Sequence, residues 1–133
     1  MENWHGHHPI PWDYFYAMSA GAGKKLDWFF YNWFYTTSWI DLAIDKTPRE
    51  VKGGYDLSIA NIGGFAVPFD VIMTYTDGTK ATFHQTPAVW EANTKATIVH
   101  IPTPNALKSV TIDGGIFMDA NVKDNTWPAA AVK

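Results

Sequence analysis

A chain of 133 residues with 47% hydrophobic residues is long enough for one cored domain and too apolar to be disordered. A net charge of −3 leaves no basic excess to neutralise phosphates, so nucleic acid is not an expected partner. The absence of cysteine excludes disulfide scaffolds, thiolate-bound zinc and thiol catalysis.

Aromatic residues make up 16% of the chain, seven of them Trp, and their distribution is uneven. Thirteen lie at or before Trp39 and eight in the 94 residues after it. The first segment, 1–38, is therefore read as helical, 39–127 as a β domain and 128–133 as a fraying tail. Met1-Glu2-Asn3-Trp4-His5 has neither the basic nor the apolar region of a signal peptide. A start already rich in Trp and His reads as a fragment with an added Met1. The longest aromatic run, Trp28 to Tyr35, is broken by Asn32 and is far short of the ~20 apolar residues of a membrane span.

Pro11 suits the first position of a helix, and Trp12, Phe15, Tyr16 and Ser19 follow with helical spacing. Gly21 and Gly23 are expected to end it. In a second helix Leu26, Phe29, Phe30, Trp33 and Phe34 form a buried stripe, while Tyr31 and Tyr35 enrich the other face. Two short helices cannot bury each other on all sides. The predicted interface, for docking or self-association, is Trp12, Phe15, Trp28, Phe29, Phe30, Trp33 and Phe34.

After Trp39 the apolar period becomes two. Ile40, Leu42 and Ile44 alternate with Asp41, Ala43 and Asp45. Further runs are Tyr55-Leu57-Ile59, Val67-Phe69-Val71-Met73-Tyr75, Thr97-Val99-Ile101 and Val110-Ile112. Turn signals at Gly53-Gly54, Asn61 to Gly64, Asp77-Gly78, Pro102 to Asn105 and Asp113 to Gly115 separate them. The pattern predicts an Ig-like antiparallel β-sandwich preceded by two short aromatic-rich α-helices. At Asp77-Gly78 a three-residue loop pairs Val71 with Phe83, Met73 with Ala81 and Asp70 with His84. That register separates apolar from polar faces and turns His84 outward, away from any catalytic role.

His5, His7 and His8 are spaced for adventitious metal capture, but next to Gly6 and Pro9 they read as an irregular lead-in to the helix. Asp119, Asn121, Asp124 and Asn125 are spaced oxygen donors of the kind calcium uses. They do not follow a twelve-residue calcium loop, and turn capping is the preferred reading. No serine has a nucleophile-elbow context, no glycine loop has a nucleotide fingerprint, and no H-E-x-x-H is present. No catalytic residue, metal ligand or cofactor is therefore assigned to the chain.

The segment His8-Pro9-Ile10-Pro11-Trp12-Asp13-Tyr14-Phe15-Tyr16-Ala17-Met18 resembles the "H-P-x-P-x-D-F-F-x-x-M" stretch late in gluzincin zinc aminopeptidases, relatives of membrane alanyl aminopeptidase. Gly23 to Thr37 resembles "G-x-x-L-D-W-F-F-x-x-W-F-Y-T-T", the helix that closes their catalytic domain. Asn61 to Pro68, Thr76 to Thr79, Val89-Trp90, Ser109 to Asp113 and Asp124 to Trp127 are similar to segments of the β domain that follows in bacterial members. One departure is Lys25, where relatives carry Asp or Asn before the helix leucine, which predicts a weak N-cap.

The resemblance spans Trp4 to Trp127 and implies a non-catalytic C-terminal module of a zinc metallopeptidase, packing against and stabilising the catalytic domain. The zinc, its ligands and the catalytic glutamate would belong to the upstream part of the parent, and none maps onto this chain. The resemblance also implies an extracytoplasmic location. The isolated chain is expected to self-associate through its aromatic helices. The alternative is an extracellular carbohydrate- or protein-binding sandwich. A small enzyme using Asp13, Asp27 or the histidines ranks last.

Overall fold

The computed structural model describes residues 8–113 and 119–128. The chain divides into two compact units, Met1–Thr36 and Thr37–Lys133. His5, His7, Gly114 and Gly115, named in the sequence reading, lie outside the described residues, as does most of the tail.

The first unit holds two helices. Helix α1 (Pro11–Ala22) starts at the proline, and the Asp13 carboxylate reaches back 2.9 Å to accept the Ile10 amide. It ends at Gly23, whose φ of 62° is left-handed. The amides of Gly23 and Lys24 donate to the Ala20 and Ser19 carbonyls, both at 3.2 Å, which closes the last turn. Gly21, expected as a terminator, lies inside the helix because Gly23 alone takes the left-handed conformation that stops it. Helix α2 (Asp27–Tyr35) begins without a side-chain cap, since Leu26 holds the cap position. Phe15 and Phe30 stack at 4.5 Å and 19°, each only 6% exposed, and form the centre of the unit.

The second unit is a β-sandwich of two four-stranded antiparallel sheets, so the chain is mainly β with two short helices ahead. In the first sheet β1 (Leu42–Ile44) and β2 (Arg49–Val51) pair with opposite ends of β3 (Gly54–Asn61). A later strand, Ala96–Pro102, pairs along the other edge of β3. The second sheet uses β4 (Phe69–Tyr75) and β5 (Lys80–Gln85). A 3-10 helix, Pro87–Trp90, follows, and the Ala96–Pro102 strand is β6. Strands β7 (Leu107–Asp113) and β8 (Thr126–Trp127) complete the order β5-β4-β7-β8.

The hairpin register is the one the apolar pattern selects: Asp70 faces His84, Val71 faces Phe83 and Met73 faces Ala81. Gly78 makes the turn with φ 86°, and Tyr75 and Thr79 close it through a 2.9 Å amide-to-carbonyl bond. Alternation delivers one face of each strand to the core. Leu57, Ile59, Val99 and Ile101 come from one sheet, and Phe69, Val71, Met73, Val110 and Ile112 from the other, all buried. Trp90 is fully buried among them, its indole N–H donating 2.8 Å to the Val67 carbonyl.

The Asn61-Ile62-Gly63-Gly64 turn is held from inside. The Asn61 side chain, 3% exposed, accepts the Gly64 amide and donates to the Phe65 carbonyl, both at 2.8 Å. A Cβ on Gly63 would stand 2.1 Å from the Trp39 carbonyl oxygen, so only glycine lets these two stretches meet.

Three features differ from expectation. Strand β1 starts at Leu42 rather than Ile40, because the Ile40 and Asp41 carbonyls bond Ala120 and the Ile62-Gly63 turn instead of a neighbouring strand. Asp41, read on the polar side of the alternation, is buried. Strands β2 and β8, of three and two residues, were not in the sequence reading, since runs that short carry no period.

Candidate functional site

Apolar surface is concentrated on the helical unit. Trp12, Tyr14, Tyr16, Tyr31, Phe34 and Tyr35 are all between 47% and 67% exposed. Exposed apolar surface of this kind on a small unit marks a docking site. Helical periodicity explains why these side chains stand out. Phe15 and Phe30 occupy the facing stripe between the helices, and the remaining aromatics have no third element to bury them within the unit.

The exposed rings are ordered by one another. Trp12 lies flat on Tyr35, with centroids 5.6 Å apart and planes at 7°. Tyr31 stacks on Tyr35 at 6.1 Å and 17°, the natural contact of residues four apart on a helix. Trp12, Phe15, Tyr16, Phe30, Tyr31 and Tyr35, with Asp27, line a groove of about 260 Å³. This is a firm, ring-lined surface rather than a set of loose side chains.

The sequence-predicted interface residues divide into three groups. Trp12 (53%) and Phe34 (63%) are exposed and available. Trp28, Phe29 and Trp33 are half-buried and touch one another edge-on or tilted, at 5.8 Å and 5.7 Å. Phe15 and Phe30 are taken up by the internal contact between the helices. Four exposed tyrosines, Tyr14, Tyr16, Tyr31 and Tyr35, belong to the surface and were not in the predicted set. Their signal was present: Tyr31 and Tyr35 fall four apart, opposite the buried stripe.

Titratable groups outside this surface form local pairs. His84 lies 2.7 Å from Asp70 across the β4–β5 hairpin, on the exposed side that the register requires. Asp56 accepts Arg49 and His100, each at 2.9 Å, and these bonds, Arg49 first, hold its carboxyl below the usual range. Asp77 is also lowered, by bonds from the Thr79 hydroxyl and amide inside the turn. Each is a carboxylate satisfied by its donors at the surface.

A zinc peptidase centre needs several nitrogen and carboxylate ligands around one point. Among the described residues no group of three or more His, Asp or Glu side chains is arranged to hold a metal ion. Among the described residues no helix is long and apolar enough to cross a membrane.

No protein-family model, curated protein or solved structure matches the chain.

Proposed function

We propose that the chain is the non-catalytic C-terminal module of a zinc-dependent, aminopeptidase-like metallopeptidase, and that its helical unit docks on the catalytic domain. The observation that carries the reading is the ring surface of Trp12, Tyr16, Tyr31, Phe34 and Tyr35, which the helices cannot bury for themselves. The resemblance of His8 to Met18 and of Gly23 to Thr37 to the end of a gluzincin catalytic domain supplies the partner's class. In this role α1 and α2 complete the partner's core, and the sandwich is the rigid body that follows.

The glycan-binding alternative draws less support from the sheets. Stacking on sugars needs exposed Trp or Tyr on a sheet face or loop, and among the described residues of the second unit Trp39, at 54%, is the one large aromatic that stands exposed.

The test is enzymatic. Native protein captured from source cells with an antibody to this chain is expected to hydrolyse aminoacyl substrates and to lose that activity to a zinc chelator. The 133-residue chain alone is expected to show none. Captured protein without chelator-sensitive activity would remove the peptidase reading.

A further inference from the structure

The groove on the helical unit is aromatic except at one place. Trp12, Phe15, Tyr16, Phe30, Tyr31 and Tyr35 line it, and its one charged member is Asp27. Asp27 opens α2, and Tyr31 and Tyr35 follow at steps of four, so the three run along one face of the helix. Tyr31 stacks on Tyr35 and is still 64% exposed, one helical turn from the carboxylate.

The Asp27 carboxylate has no counter-ion among the described residues. None of their ion pairs or side-chain hydrogen bonds includes it. Lys24 and Lys25, just before it in sequence, neither pair with it nor line the groove. Aromatic faces carry negative potential, and a carboxylate beside them adds to it. Charge complementarity therefore asks for a cation with apolar flanks.

The ring geometry decides which cation. Trp12 and Tyr35 lie 7° from parallel, and Tyr35 and Tyr31 17°. Rings so arranged do not form the box of converging faces that encloses a quaternary ammonium. A flat cation fits them. A guanidinium stacks on an aromatic face, and its fork of N–H donors meets a carboxylate with two parallel bonds. A lysine ammonium, a compact hydrated charge, gains the carboxylate and little of the rings. On the reading that α1 and α2 dock on a catalytic domain, we propose that the groove receives an arginine side chain of that domain, its guanidinium on the Tyr31 ring and against the Asp27 carboxylate. A second copy of the chain is the poorer occupant. Its one arginine, Arg49, is committed to Asp56 at 2.9 Å.

Ligand-observed saturation-transfer NMR tests the site on the 133-residue chain, kept dilute enough to be monomeric by light scattering. The probe is N-acetyl-arginine methylamide. Its control is the citrulline analogue, neutral and of nearly the same shape. The arginine probe is expected to bind with a dissociation constant of about 1–10 mM, as befits a single side chain. The citrulline analogue is expected to bind about 5–10-fold more weakly, because it loses both the ion pair and the cation–π contact. Asp27→Asn and Tyr31→Leu each remove one partner of the guanidinium and are expected to keep the helical circular dichroism. Each is expected to weaken the arginine probe about 2–5-fold. Citrulline binding as tightly as arginine, as in a purely apolar groove, would overturn the proposal. So would an arginine response that is absent, or that either substitution leaves unchanged, as for adventitious surface binding. Chelator-sensitive activity of the captured native protein is read separately, so the peptidase reading and the arginine site can each fail without the other.

Discussion

Trp90→Ala is expected to cost the sandwich about 4–5 kcal/mol, the upper end of large-to-small core substitutions. Trp90 is fully buried, its ring lies 5.6 Å from that of Phe69, and its indole N–H satisfies the Val67 carbonyl at 2.8 Å. Removing it opens a cavity and strands a buried acceptor at once. Domains of this size hold only about 5–15 kcal/mol in total, so the variant sits near its unfolding threshold, with Tm lowered by roughly 20–30 °C. Trp90→Phe separates the two contributions. It keeps most of the ring volume and loses the bond to Val67, for an expected loss of about 1–2 kcal/mol. Urea denaturation followed by circular dichroism measures both. An alanine variant within about 1 kcal/mol of the parent would show that the core does not turn on this ring.

The second large effect concerns association. The isolated 133-residue chain is expected to self-associate through its helical unit at micromolar to tens-of-micromolar concentration. Trp12, Tyr16, Tyr31 and Tyr35, each about half exposed or more, share one groove. Tyr16 and Tyr31, at 67% and 64%, are the most exposed rings and lie on the groove. Tyr16→Lys with Tyr31→Lys keeps helix propensity and puts two charges where a second surface would dock. Light scattering is expected to show dimers or larger species for the parent chain and a 14.9 kDa monomer for the double variant, with unchanged helical circular dichroism. A parent chain that stays monomeric at high concentration would contradict the docking reading of this surface.

The strands with a sustained period of two were legible in the sequence. The Val67 to Tyr75 run became β4, and the demand that Val71 and Met73 face apolar partners was enough to choose a three-residue loop over a two-residue one. What escaped was short, or depended on distant neighbours. Arg49-Glu50-Val51 and Thr126-Trp127 are strands because β3 and β7 offer them an edge, not because of their own pattern. Trp90 sits in a Pro-started 3-10 turn with no periodicity, so nothing local marks it as the largest fully buried side chain. Gly21 and Gly23 look alike on paper, and only the bonds to Ser19 and Ala20 decide which one ends the helix.

The candidate surface was legible in the same uneven way. The excess of rings over what two helices can bury follows directly from counting. Which rings face inward depends on how the helices meet. Phe15 and Phe30 went to the inner contact, and the tyrosines, whose hydroxyls tolerate water, stayed outside. The burial of Asp41 lay beyond any local reading. Asp41 takes its place from an alternating run that suggests a solvent face, and is buried because the residues on either side of it hold the Asp119-Ala120 segment.

The central claim, that the helical surface belongs against a peptidase domain of the same polypeptide, is tested most directly by the size of that polypeptide. An antibody to this chain, used to blot an extract of the source cells, is expected to reveal a band several times larger than 14.9 kDa. A single band at 14.9 kDa would contradict the claim, because no catalytic domain would then be joined to the surface it is meant to cover.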